Sequence, residues 1–154
     1  MPSRKLTVLT ATKAHADELA ANLRPEDAAE MMASHGLQPQ EGVELALRIS
    51  RVARAVLDEG KVLAILGIAS AEEGTSSVWM LATTAAKKLP LAFMRVCRAE
   101  LPLLAEAGGV LFNMIWANNK RALRLVKALG FEVLEAVPFG VSGLPFHPIV
   151  LRRL

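Results

Sequence analysis

The chain has 154 residues, is 53% hydrophobic and carries a formal net charge of +3. That length can bury a sizeable core, and that hydrophobic content excludes intrinsic disorder. The charge is too small and too spread to argue for nucleic-acid binding, and no uncharged apolar run approaches the roughly 18 residues of a membrane span.

The basic start Met1-Pro2-Ser3-Arg4-Lys5-Leu6 lacks the apolar stretch of a signal peptide. Residues 5–11 read as a first strand. Thr12 is placed to cap a helix over residues 12–22. Arg24-Pro25-Glu26-Asp27 opens a second, with Pro25 suited to a first turn and the two acids to its positive end. It ends near His35-Gly36, and a third helical stretch covers residues 41–50. The period then changes to that of strands, over residues 53–57, 61–69 and 77–83. Asp58-Glu59-Gly60 and Glu72-Glu73-Gly74-Thr75 supply the turns of an antiparallel meander.

A long helix over residues 90–107 follows, with Pro102 expected to bend it. Its stripe Leu91, Met94, Cys97, Leu101 reads as a packed face. Cys97 is the one cysteine, so no internal disulfide forms and a reducing compartment is expected; on this stripe it reads as a buried structural thiol. Met31-Met32 and Met94 also read as core. Val110 to Trp116 is a buried strand. Asn118 is placed to cap a helix that ends at Gly130, with Ala122, Leu125, Val126 and Leu129 as its apolar stripe. A further strand follows Gly130-Phe131, and residues 138–148 form a Pro/Gly-rich loop before a last strand over residues 149–152.

Asn118, Ala122 and Leu129-Gly130-Phe131 resemble the second conserved block of the GNAT superfamily, the acyl-CoA-dependent N-acetyltransferases. The order of elements along nearly the whole chain is similar to that superfamily as well. The expected fold is therefore α/β in the α+β sense: one domain over residues 1–154, with a mixed, mostly antiparallel seven-stranded sheet and helices on both faces. A closer resemblance is to a phage-encoded GNAT-like family that includes an internal virion protein of short-tailed phages. It rests on Ala11-Thr12, His15 to Ala20, Leu23 to Glu30, Trp79 to Thr83, Asn113, Asn118, Leu129-Gly130-Phe131, Pro138-Phe139-Gly140 and Gly143 to His147.

The resemblance implies acetyl-CoA as the donor. The backbone near Leu81 and Thr83 would polarise the thioester carbonyl, and Asn118 would hold the pantetheine arm. No metal is implied, and the three histidines show no metal-ligand spacing. The sequence departs from the superfamily in two places. The glycine turn that cradles the pyrophosphate is replaced by Thr83-Thr84-Ala85-Ala86-Lys87-Lys88-Leu89-Pro90, without glycine. The tyrosine that protonates the leaving thiolate is replaced by Val126, and the chain has no tyrosine at all. Proton transfer by a positioned group is typically worth about 10²–10⁴ in rate. His147 is the candidate general base, set against a surface or packing histidine.

Lys87 and Lys88 precede the long helix, and Lys120 and Arg121 open the next. Cations there oppose the helix dipole, by roughly 0.3–1 kcal/mol each when exposed. Lys87, Lys88, Arg121 and Arg124, with Thr84 beside them, are therefore candidates to attend a phosphate-bearing ligand or an acidic partner; a solvated basic patch is the alternative. Two functions follow. One is acyl-CoA-dependent N-acyltransfer to an amine, in the cytoplasm of a bacterial host. The other is a catalytically silent GNAT-fold component of a phage particle, with virion proteins as partners.

Overall fold

The computed structural model describes residues 5–152, so Met1, Pro2, Ser3 and Arg4 of the basic start lie outside the described residues. Strand β1 (Thr7–Thr10) leads into α1 (Lys13–Ala21), α2 (Pro25–His35) and α3 (Pro39–Ile49). The Thr12 hydroxyl accepts from the His15 N–H at 3.3 Å, and His15 Nδ1 accepts from the Thr12 N–H at 3.1 Å. This reciprocal cap fixes where α1 begins. Pro25 opens α2 and Gly36 closes it with φ 68°. Pro39 opens α3, two residues before the expected start, because a proline needs no partner for its missing N–H there.

The meander is β2 (Ser50–Asp58), β3 (Lys61–Ser70) and β4 (Thr75–Ala82). Glu59 at φ 50° and Gly60 at φ 83° make the first turn, a pair of left-handed residues whose twist suits a tight hairpin. A short 3-10 helix (Thr84–Lys88) then precedes α4 (Pro90–Gly108). Next come β5 (Val110–Trp116), α5 (Lys120–Ala128), β6 (Glu132–Val133), β7 (Val137–Phe139) and β8 (Leu144–Leu151).

Residues 138–148 are not a loop before a four-residue strand. They form the β7–β8 hairpin, turned by Gly140 at φ 75° and Gly143 at φ 69°. Three prolines argued for a loop, but a proline still offers its carbonyl. Pro145 O accepts from the Ala117 N–H at 2.9 Å and Pro148 O from the Leu134 N–H at 2.8 Å. The sheet consequently has eight strands, ordered β1-β2-β3-β4-β5-β8-β6, with β7 also on β8. Only the β4–β5 pair is parallel among the described residues.

Helices cover both faces. Phe93, Cys97, Leu101 and Leu104 of α4 and Leu123 of α5 pack with Leu66, Ile68, Leu111 and Ile149 of the sheet. Ala16 and Leu19 of α1, Met31 of α2 and Val43 of α3 pack with Leu57, Val62 and Ile65. Strand β3 is buried on both sides, which is why it reads as an unbroken apolar run. Two expected core residues face water instead. Leu91 is 75% exposed, because it lies two positions from Phe93, about 200° round the helix. Met32 is 42% exposed, one position off the buried Met31.

One irregularity in the sheet matters for function. β4 and β5 pair only at Thr75 with Val110, Ser76 with Leu111 and Ser77 with Phe112, and then diverge. Where the ladder stops, the Asn113 side-chain amide donates to Val78 O. A wedge-shaped gap opens beyond it.

Candidate functional site

α2 lies across the gap. Its first turn puts Asp27 against β4, and the next turn puts Glu30 against β5. Asp27 Oδ2 accepts from the Ala82 N–H at 2.8 Å, and Arg24 N–H donates to Ala82 O at 3.0 Å. Glu30 Oε1 accepts from the Trp116 N–H at 2.7 Å. Two carboxylates thus take the strand N–H groups that a continuous β4–β5 ladder would have used.

The electrostatics of the pair differ. Asp27 is 3% exposed, and the Arg24 Nε lies 2.8 Å from its Oδ2. Burial pushes the Asp27 carboxyl up, and Arg24 only partly offsets that. Glu30 has no salt bridge among the described residues. Burial first, and the Asp27 charge, push its pKa up to about 7, against the opposing pull of the Trp116 N–H, Asn119 and Arg24.

Asn119 completes the cluster. It is 3% exposed and its Oδ1 caps α5 by accepting from the Ala122 N–H at 3.3 Å. Its Nδ2 faces Glu30 without reaching hydrogen-bond geometry, and is buried with no partner. This corrects the cap expected at Asn118. A tight turn bonds Asn119 N–H to Trp116 O at 2.9 Å, which leaves Asn118 exposed at its apex.

Two cavities meet at the gap. One, of about 110 Å³, lies on the α4–α5 side and reaches Arg24, Cys97, Asn119 and Val126. The other, of about 340 Å³, lies on the α2–α3 side. Asp27, Glu30, Trp79, Met80, Asn113 and Met114 line both. Cys97 is a packed thiol, its pKa raised by burial to about 11.

The other expected residues are distributed unevenly. Thr83 N–H donates to Leu63 O at 2.8 Å and its hydroxyl to Val62 O at 3.1 Å, both toward β3. Leu81, two residues earlier, presents its N–H on the same edge. The amides at the gap are therefore those of Met80 and Ala82, and Ala82's is taken by Asp27. His147 is not in a loop: it pairs with Ile115 on β8, its Nδ1 donates to Leu134 O at 2.8 Å, and it lines neither cavity. Lys87 and Lys88 end the 3-10 helix rather than opening α4, so their charges suit its dipole. The Lys87 ammonium lies 2.9 Å from Glu26 Oε1. Burial pushes Glu26 up, but Lys87 and Arg24 outweigh it and hold the carboxyl below its usual range. Lys120 and Arg121 do open α5, and with Arg124 they are exposed.

The turn that would meet a diphosphate is partly closed on itself. Thr84 N–H donates to Asn22 O at 3.3 Å, Ala86 N–H to Thr83 O at 3.1 Å and Leu89 N–H to Ala86 O at 3.2 Å, and Pro90 has none. No group of three or more His, Cys, Asp or Glu side chains able to hold a metal occurs among the described residues. No helix there is long and apolar enough to cross a membrane.

Sequence reasoning read Asp27 only as an acid suited to a helix start and gave Glu30 no role. Their signal was positional. Asp27, Glu30 and Ser34 share the α2 face that buries Met31, at spacings of three and four.

No family model and no curated protein matches this sequence. Solved structures do match. Ribosomal-protein-alanine N-acetyltransferase from Brucella melitensis has a TM-score of 0.72 at 16% identity, over 96% of this chain and 99% of that one. An aminoglycoside acetyltransferase in complex with coenzyme A scores 0.71 at 17% identity, over 97% and 95%. An acetyltransferase of the GNAT family from Streptococcus pneumoniae scores 0.66 at 15% identity, over 96% and 98%. The chain has the fold of the GNAT acetyltransferases.

Proposed function

We propose that the chain transfers an acyl group from a pantetheine thioester, such as acetyl-CoA, to a primary amine, with the β4–β5 gap as the site. The observation that carries this reading is Glu30: a carboxyl poised near neutrality between two cavities. A group with that pKa is half ionised at physiological pH and suited to accept a proton there. When bound, the thioester supplies an electrophilic carbonyl. The amine enters from the α2–α3 side and gives its proton to the Glu30 carboxylate. Asn119 Nδ2, buried and unpartnered, is the donor available to an amide of the arm. Val126 has no proton to give, so the departing sulfur takes one from water.

The pantetheine arm fits this chain better than the diphosphate does. With the Thr84, Ala86 and Leu89 amides spent internally and no glycine in the turn, phosphates rest largely on the Lys88, Arg121 and Arg124 side chains, a weak and salt-dependent grip. Thermal unfolding with acetyl-CoA and with S-acetyl-pantetheine tests this: a ligand that binds only the folded chain must raise its stability. Both raising Tm by similar amounts is expected. No shift with either at millimolar concentration overturns the reading.

The glycine-free loop and Val126 favour a second reading, a catalytically silent GNAT-fold component of a phage particle. Asp27 and Glu30 then serve only as substitutes for missing strand pairing. The phage attribution rests on sequence resemblance alone.

A further inference from the structure

The 340 Å³ cavity differs chemically from its partner across the sheet. Its walls include Met31, Leu45, Ile49, Trp79, Phe112 and Phe139. Trp79 Nε1 is spent on Ser50 Oγ at 2.7 Å, so the indole offers the cavity carbon. Two of the polar groups that line it are equally committed. Asp27 is held by Arg24 and by the Ala82 N–H. Ser34 Oγ donates to Glu30 O at 2.8 Å within its own helix and touches His35 Nδ1 at 2.8 Å. One carboxylate without a salt bridge among the described residues remains, Glu30.

We infer that this cavity selects a primary amine bearing a single charge on an apolar, preferably aromatic, body. The inference rests on the amine-acceptor reading above and names the class of acceptor. An ammonium needs a carboxylate when it leaves water, and Glu30 supplies one. A second ammonium finds apolar wall and no counter-charge, so polyamines and aminosugars are excluded by desolvation. The volume lies at the lower end of small-molecule pockets, which suits a body of one ring or a short alkyl chain.

The test measures binding of 2-phenylethylamine and of spermidine to the full chain by calorimetry at pH 8, with no thioester present. Phenylethylamine should bind at least tenfold more tightly. Ile49 is 54% exposed at the rim, so Ile49→Glu can be made without disturbing the core. It places a second carboxylate at the mouth and should narrow or reverse the preference. Glu30→Gln should weaken phenylethylamine at least tenfold. Spermidine binding as well as phenylethylamine to the unaltered chain, an unchanged ratio in Ile49→Glu, or no saturable binding of either amine overturns the inference. Because no donor is present, failure to bind a thioester and failure of this acceptor preference are read separately.

Discussion

Asp27 and Glu30 stand one helical turn apart on α2 and hold opposite lips of the gap, Asp27 the Ala82 N–H at 2.8 Å and Glu30 the Trp116 N–H at 2.7 Å. The wedge is thus pinned by side chains rather than left as a frayed ladder. Asp27→Ala should be among the most damaging single changes. It leaves the buried Arg24 guanidinium with only the more distant Glu26 Oε1, at 3.8 Å, as counter-charge and the Ala82 N–H without an acceptor. Removing one partner of a buried pair costs about 3–5 kcal/mol. Asp27→Asn keeps an oxygen for Ala82 and should cost less. Urea unfolding of the two variants compares them; equal losses would show that the Arg24 charge is not what Asp27 serves.

Glu30 ties stability to pH. Its folded pKa, about 7, lies above the ordinary 4.5. The folded state therefore holds a proton that the unfolded chain gives up. The contribution is fully present below about pH 4.5 and is lost as pH rises through about 7, a change on the order of 3 kcal/mol for this group. Glu30→Gln should remove that slope and leave the protein more stable than the parent at pH 8. Any acyl-transfer rate should move the opposite way, rising through pH 7 as the carboxylate forms. A stability profile that is flat for the parent from pH 5 to 8 would count against a buried, protonated Glu30.

Much of the element order was legible because its signals are local. Thr12, Pro25, Pro90 and Gly130 mark helix ends by their own backbone preferences, and β3 announces its double burial in its composition. The β7–β8 hairpin was hidden because Pro138, Pro145 and Pro148 carry a loop signal that carbonyl pairing to distant residues overrides. The site was hidden for a related reason. Nothing near Asp27 or Glu30 in sequence shows that their partners are residues 82 and 116. The basic residues were visible, but Lys87 is paired with Glu26, some sixty positions away.

The shift of the α5 cap from Asn118 to its neighbour is directly measurable. Asn119→Ala removes the bond to the Ala122 N–H and should cost about 1 kcal/mol. Asn118→Ala, at an exposed turn position, should stay within about 0.5 kcal/mol. Chemical denaturation of both variants checks the order. The reverse order would return the cap to Asn118.

The two basic groups should separate in ligand titrations. Lys87 and Glu26 are each about one-third exposed, so the pair is worth at most about 1 kcal/mol to the fold. Because Lys87 is already paired, Lys87→Ala/Lys88→Ala should weaken acetyl-CoA less than Arg121→Ala/Arg124→Ala does. The slope of affinity against salt should fall more in the α5 variant. Equal or inverted losses by calorimetry would assign the phosphates to the 3-10 turn.

Gly140 links the hairpin to the site. Its φ is 75°, and a Cβ there would lie 2.5 Å from Ser34 O, a backbone atom that cannot move aside cheaply. The next two residues satisfy the end of α2, Val141 N–H donating to Ser34 O at 3.0 Å and Ser142 N–H to Ala33 O at 3.1 Å. These bonds fix the C-terminal half of the helix that carries Glu30. Gly140→Ala should therefore cost about 1–3 kcal/mol, from strain and from displacement of the turn. It should also loosen Glu30's burial and lower the pH at which stability falls. Gly60→Ala, at φ 83° with nothing within 4 Å, carries similar backbone strain without that contact. If both variants lose the same stability and neither moves the pH midpoint, the hairpin does not position α2.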